Sequence, residues 1–266
     1  MQKSILHRQR NLIYEVKGTG LPVMLVHGFT EDRGIWNALV NAFSEKYRWL
    51  IPDLPGSGAS DFNKDLESIA DFAEALNAIR REEQIRQMVL IGHSMGGYIS
   101  LALAEKYPEI LKGLGLFHST AYEDKPEKKE SRKKSMEFIR HHGSAPYVRQ
   151  SLPGLFSENF KNRHPEKIQE QIERYANFNP DSLVQYLDAM RNRKDKTRIL
   201  KNMKEPVLFL MGEEDPAAPL QDMLEQCHLP QISYIHILAD TAHMGMLENT
   251  NLCNSFIDRF LDQIPN

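Results

Sequence analysis

Residues 88–107 read Met88-Val89-Leu90-Ile91-Gly92-His93-Ser94-Met95-Gly96-Gly97-Tyr98-Ile99-Ser100-Leu101-Ala102-Leu103-Ala104-Glu105-Lys106-Tyr107. A short apolar run predicts a buried strand, and the run from Ile99 onward predicts a helix. Between them lies Gly92-His93-Ser94-Met95-Gly96, a Gly-x-Ser-x-Gly element. Strand, tight turn and helix are the setting of a nucleophile elbow, in which glycines let backbone pass closely and a serine is held in a strained conformation with its hydroxyl exposed.

A serine hydroxyl is a poor nucleophile unaided. It needs a base to take its proton, an acid to orient the base, and N–H donors where negative charge develops. Asp215, in Met211-Gly212-Glu213-Glu214-Asp215-Pro216, follows an apolar strand and is the acid candidate, with Glu213 and Glu214 in reserve. His243 lies in the loop after the last predicted strand and is the base candidate. The order Ser94, Asp215, His243 matches one known chain order of such triads. The turn His27-Gly28-Phe29 supplies the Phe29 N–H, and Met95 supplies a second N–H at the helix start. Those two groups are the candidate oxyanion hole.

Around the elbow, period and punctuation give strands at 4–8, 12–17, 22–26, 47–51, 88–91, 111–117, 206–211 and 232–238. Helices are expected at 35–43, from an N-cap at Ser68 with Asp71 three residues on, and at 251–261 with Leu252, Phe256 and Phe260 facing inward. Repeated β–α units imply a mostly parallel sheet with helices on both faces. The alternation stops after the sixth strand and returns near residue 206. Residues 1–118 and 204–266 therefore read as the core, and 119–203 as an inserted helical cap.

The chain has 266 residues, 41% of them apolar, and a net charge of −3. The charge is unevenly placed. Residues 125–204 carry 19 Lys/Arg against 10 Asp/Glu, a net of +9, and the remainder carries 14 against 26, a net of −12. Two lone cysteines, Cys227 and Cys253, fit neither a disulfide framework nor a zinc site. With no apolar N-terminal stretch and no run of membrane-spanning length, a cytoplasmic setting is expected.

Taken together, His27-Gly28-Phe29, Asp53-Leu54-Pro55-Gly56-Ser57-Gly58, Gly92-His93-Ser94-Met95-Gly96-Gly97, Gly212-x-x-Asp215 and His243-x4-Glu248 resemble the α/β-hydrolase superfamily across nearly the whole chain. The resemblance implies an eight-stranded, mostly parallel sheet, a mobile cap over the pocket, and bracing roles for His27, Asp53 and Glu248. It also implies that no metal or organic cofactor is required. Serine at the nucleophile position argues against the dehalogenases and epoxide hydrolases of similar architecture, which attack through a carboxylate. His-Gly-Phe-Thr differs from the Gly-Gly-Gly oxyanion loops of many larger esterases and lipases.

The expected function is hydrolysis of a small carboxylic ester or thioester through an acyl-enzyme. The same groups also serve carbon–carbon bond hydrolysis, and the same fold serves ligand receptors with little turnover. The substrate pocket is expected to be apolar, with Thr30, His118 and Met244 at the site and Phe29, Phe138, Phe156 and Phe178 as aromatic lining. The positive cap raises an anionic acyl carrier as a partner beside a small-molecule ester, against the plainer reading of a solvated helical face. Neither nucleic acid nor a membrane is expected as a partner.

Overall fold

The continuous apolar runs become strands whose side chains alternate between two buried faces, as a sheet covered on both sides requires. In the computed structural model, which describes residues 1–265, these strands are β1 (Gln2–His7), β2 (Arg10–Lys17), β3 (Leu21–Val26), β4 (Tyr47–Pro52), β5 (Met88–His93), β6 (Leu111–Phe117), β7 (Val207–Gly212) and β8 (Ser233–Leu238). They form one sheet of order β1-β2-β4-β3-β5-β6-β7-β8. The β1–β2 and β2–β4 pairs are antiparallel, and every later pair is parallel.

Helices α1 (Asn37–Ala42), α2 (Ile69–Glu82) and α3 (Met95–Lys106) belong to the first half of the core. Met24, Val26, Leu90, Leu114 and Phe209 face α2 and α3 in one apolar cluster. Val23, Leu25, Ile91, Leu208 and Leu210 face the other side, with α1 and the C-terminal helix. Helix α2 begins as its sequence suggests. The Ser68 hydroxyl accepts from the Asp71 N–H at 3.3 Å, and the Asp71 carboxylate accepts from the Ser68 N–H at 3.0 Å. Such a cap stabilises a helix by about 1 kcal/mol.

Six helices lie between β6 and β7: α4 (Pro126–His142), α5 (Ser144–Ser151), α6 (Glu158–Arg163), α7 (Pro165–Tyr175), α8 (Pro180–Arg191) and α9 (Thr197–Asn202). The chain closes with α10 (Leu220–Leu224), α11 (Gly245–Glu248) and α12 (Thr250–Leu261). On α12 the inward stripe is rotated from the expected one. Cys253, Ile257, Phe260 and Leu261 are buried, whereas Leu252 is 45% exposed. Cys227 is also buried, and both cysteines are free thiols. Among the described residues no helix is long and apolar enough to cross a membrane.

Candidate active site

Every chemically interesting residue follows the C-terminal end of a parallel strand. Phe29 follows β3, Ser94 follows β5, His118 follows β6, Asp215 follows β7 and His243 follows β8. Strands β3 and β5 are neighbours whose next connections run to opposite sides of the sheet, because β4 lies beyond β3 and β6 beyond β5. In open α/β sheets such a switch point opens a crevice for ligands.

The turn at Ser94 is built by close backbone approach. A Cβ on Gly92 would lie 2.3 Å from the Gly96 carbonyl, and one on Gly96 would lie 2.2 Å from the Val26 carbonyl oxygen. Ser94 itself has φ 51° and ψ −116°, a region that costs a non-glycine residue of order 1–3 kcal/mol. Its N–H donates to the Phe117 carbonyl at 2.9 Å, and its carbonyl accepts from the Ser119 hydroxyl at 2.8 Å. Thr30 (φ 57°) and His118 (φ 47°) adopt positive φ at the ends of the neighbouring strands. Backbone strain therefore gathers at this edge of the sheet.

Asp215 is buried between two imidazoles. The Nδ1 of His243 lies 2.8 Å and the Nδ1 of His118 3.0 Å from its Oδ2, while the Ala217 and Ala218 N–H groups each donate to Oδ1 at 2.8 Å. Burial alone disfavours a carboxylate, but the two histidines and their hydrogen bonds hold its pKa far below the usual range. A carboxylate only accepts, so each Nδ1 carries its proton, which leaves Nε2 of His243 with a free lone pair. Glu213 and Glu214 are exposed, and Asp215 is the acid that meets His243. Ser94 and His243 line the same cavity, of about 180 Å³. Among the described residues no hydrogen bond joins their side chains, a common state of an unliganded site.

His118, Asp215 and His243 bring possible ligand atoms within 4.8 Å of one another. The hydrogen bonds to Asp215 account for that clustering.

The N–H groups of Phe29 and Met95 donate no hydrogen bond among the described residues. The Phe29 turn is braced as the resemblance implies. Nε2 of His27 accepts from the Leu54 N–H at 3.0 Å and lies 2.8 Å from the Ser57 hydroxyl. Asp53 accepts from the Arg33 and Ala59 N–H groups at 2.9 Å each and pairs with the Arg33 guanidinium, away from the cavity. Glu248 accepts from the Ala242, Met244 and Ser157 N–H groups, clamping the backbone on both sides of His243.

A further buried pair, Glu31 and His93, is marked by no motif in the sequence. Nδ1 of His93 lies 2.9 Å from the Glu31 carboxylate, and its Nε2 lies 3.0 Å from the His243 carbonyl. Both partners are acceptors, so the ring carries two protons and a positive charge. Burial opposes charge on both groups, yet their mutual attraction raises the His93 pKa and lowers that of Glu31. Glu31 also accepts from the Gly28 N–H at 2.6 Å. One ion pair thus links the Phe29 turn to the backbone of His243. The only hint in the sequence was a histidine inside the Gly-x-Ser-x-Gly element, and its partner lies 62 residues away.

Three expected pocket residues lie elsewhere. Thr30 is buried, and its hydroxyl donates to the Phe29 carbonyl at 2.6 Å. His118 is fully buried, and a Cβ on Gly245 would lie 2.4 Å from its Nε2, leaving no room for a substrate there. Met244 is buried in the apolar cluster beside α12. The helical aromatics pack among themselves: Phe156 stacks on Phe160, Phe178 meets Tyr186 edge-on, and Phe138 lies over His142.

Phe29 lines the cavity as expected, joined by Tyr98, Tyr147 and Leu187 in its apolar part, and α4 contributes Lys128, Ser131, Arg132 and Ser135. That spacing puts all four on one helical face. One wall is therefore polar, contrary to the apolar pocket expected. A second cavity, of about 160 Å³, lies beyond Tyr98 and is lined by Ile69, Leu101 and Arg193, with no histidine or acid.

Comparison with known proteins agrees with this architecture. The family profile described as alpha/beta hydrolase fold matches residues 22–123. Lipase 1 of Psychrobacter immobilis is 26% identical over 261 residues, spanning 89% of this chain and 76% of its own. The pimeloyl-[acyl-carrier protein] methyl ester esterase of Legionella pneumophila (strain Paris) is 22% identical, spanning 94% of this chain and 99% of its own. The structure of a thermophilic esterase from Thermogutta terrifontis, with malate bound, superposes with a TM-score of 0.93 at 29% identity, over 99% of this chain and 98% of that one. The eight-stranded sheet, the elbow at the switch point and these likenesses give the chain the α/β-hydrolase fold.

Proposed function

We propose that the protein is a serine hydrolase of small carboxylic esters, with Ser94 as nucleophile, His243 as base, Asp215 as its orienting acid, and the Phe29 and Met95 N–H groups as oxyanion donors. The observation that carries this reading is the convergence on one cavity of a strained serine and a histidine whose Nδ1 is held by a buried carboxylate. The relatives named lipase and esterase support ester cleavage as the reaction class.

In the proposed reaction, Ser94 Oγ attacks the ester carbonyl while its proton passes to Nε2 of His243. The carbonyl oxygen becomes an oxyanion facing the two N–H donors, each worth about 3 kcal/mol of transition-state stabilisation. The same proton leaves with the alcohol as the C–O bond breaks and the acyl-enzyme forms. A water then gives a proton to His243 and attacks the acyl carbon. Ser94 is regenerated and the acid released. Asp215 keeps the ring oriented and stabilises the imidazolium. In this reading helices α4–α9 form a cap over the cavity, and its modest volume suits short acyl or alkyl groups.

The test is steady-state hydrolysis of p-nitrophenyl esters of graded acyl length by wild type and Ser94→Ala. The proposal expects turnover of short esters, with kcat lower in the variant by about 10⁴-fold or more. Full activity in Ser94→Ala would refute it.

A second reading, hydrolysis of an acyl group carried on an acidic protein, draws on the acyl-carrier esterase relative and the net charge of +9 over residues 125–204. Part of that charge is already engaged with core carboxylates: Lys125 with Asp222, Arg174 with Asp32 and Lys196 with Glu105. A preference for the carrier-linked ester at low salt that fades at high salt would favour the second reading.

A further inference from the structure

The polar wall of the cavity carries charge of one sign. Arg132 and Arg193 both pair with Asp124, whose buried carboxylate serves two guanidinium groups. Arg193 in turn lies 3.9 Å over the Tyr98 ring. Across the cavity, Glu31 is matched by His93. Lys128 differs from all of these. It lines the cavity and is partly buried, and its ammonium donates to the Ala217 carbonyl. Among the described residues it has no carboxylate within ion-pair distance, although Lys125 just before the helix and Lys129 on it both have one.

A partly desolvated cation satisfied only by a neutral carbonyl retains most of its attraction for an anion. Ser131 and Ser135, one turn and two turns further along the same face, add hydroxyl donors to that wall. A small uncharged ester can accept hydrogen bonds from these groups but brings no negative charge to Lys128.

We infer that Lys128 is a specificity-determining residue, and that the preferred substrates are esters bearing a second, ionised acid group a few atoms from the reacting carbonyl. The inference rests on the serine-hydrolase reading and names the substrate class of that same cavity. The acid group sits against Lys128 with the serine hydroxyls beside it, while the ester carbonyl faces Ser94 and the two N–H donors. The cavity is small enough for a short chain to reach both.

Two matched substrate pairs test this. Monomethyl glutarate against methyl valerate places the acid on the acyl side. 4-Acetoxybutyrate against butyl acetate places it on the alcohol side. The expected result is a kcat/KM ratio in favour of the anionic member of at least one pair by about tenfold or more. Lys128→Met should collapse that ratio, and Lys128→Arg should retain most of it.

A role of Lys128 confined to latching α4 onto the loop after β7 would lower both members equally and leave the ratio unchanged, which would overturn the inference. So would a wild-type preference for both neutral esters. Calorimetry of glutarate binding to Ser94→Ala reads the same contact without turnover, and loss of binding on adding Lys128→Met is expected. Hydrolysis of the neutral esters with no anion preference would refute the inference and leave the serine-hydrolase reading standing. Glutarate binding that depends on Lys128, with no hydrolysis of any ester, would refute the serine-hydrolase reading and with it the ester preference, leaving only an anion site at Lys128.

Discussion

At the ends of the central strands, charges are enclosed and matched one by one. Glu31 meets His93, and Asp215 meets His243, His118 and two backbone N–H groups, all at less than about one-tenth exposure. In the inserted helices the pattern is different. Helix α4 buries only Met136 and Ile139 along its 17 residues, and its cations Lys129 and Arg132 pair with Glu123 and Asp124 just before the helix. The core end relies on desolvated contacts that tolerate no vacancy. Apart from the buried Asp124, which meets Arg132 and Arg193, the insertion relies on exposed pairs worth about 0–1 kcal/mol each. The uneven charge of the sequence thus serves partly to seat a basic segment on an acidic core, with Lys125–Asp222, Arg174–Asp32 and Lys196–Glu105 as the joining pairs.

Substitutions in the two regions should separate them sharply. The largest effect belongs to Asp215→Asn, which keeps the shape but removes the acceptor that selects the His243 tautomer. Its kcat should fall by about 10⁴-fold, whereas Glu213→Gln and Glu214→Gln, both exposed, should leave kcat within about twofold. Comparable losses at all three would erase the distinction between Asp215 and its neighbours.

His93→Leu comes next. It leaves Glu31 buried without its counter-charge and should cost about 3–5 kcal/mol of stability. Adding Glu31→Leu should recover much of that loss, because the orphaned charge then disappears. Urea denaturation of the two variants reads the difference, and an additive pair would show that the two side chains do not act as an ion pair.

The third effect is a pH slope. Burial pushes the pKa of His118 down from 6.5 to about 4. Between those values the unfolded chain binds a proton that the folded chain refuses, so this residue's contribution to stability is present above pH 6.5 and lost as pH falls towards 4. His93 has the opposite sign: its raised pKa gives stability that is present below pH 6.5 and lost as pH rises through the raised value. Urea midpoints from pH 4 to 7 should therefore fall less steeply on the acid side in His118→Gln than in wild type. Equal slopes would mean that His118 accepts its proton in the folded protein.

The smallest effect is expected in the insertion. Arg174→Gln, which opens one exposed pair to Asp32, should change stability by about 1 kcal/mol or less. A larger loss would show that the insertion is seated more firmly than its exposed contacts suggest.

The same contrast explains what the sequence revealed. Local chemistry was legible: the Ser68–Asp71 cap, the apolar runs of the sheet, and the glycines that crowd the turn around Ser94 all act over a few residues. Chain order brought Asp215 and His243 forward, because each follows a strand. Contacts set by tertiary docking were not legible. Glu31 reaches His93 across 62 residues. His118 turns inward to Asp215 although its position past β6 is equally suited to facing a ligand. The face that α4 turns to the cavity is chosen by its seating against α8 and by the Lys128 contact with the Ala217 carbonyl, and its near-continuous charge offers no stripe from which to read it.

The central claim, that Ser94 is an activated nucleophile in the shared cavity, is tested most directly by covalent capture. The protein is treated with a fluorophosphonate, alone and after Asp215→Asn or His243→Ala, and the modified peptide is mapped by mass spectrometry. A single adduct is expected on the peptide containing Ser94 in wild type, with labelling slowed by orders of magnitude in both variants. Labelling at another residue, or labelling of Ser94 at the same rate in all three proteins, would contradict it.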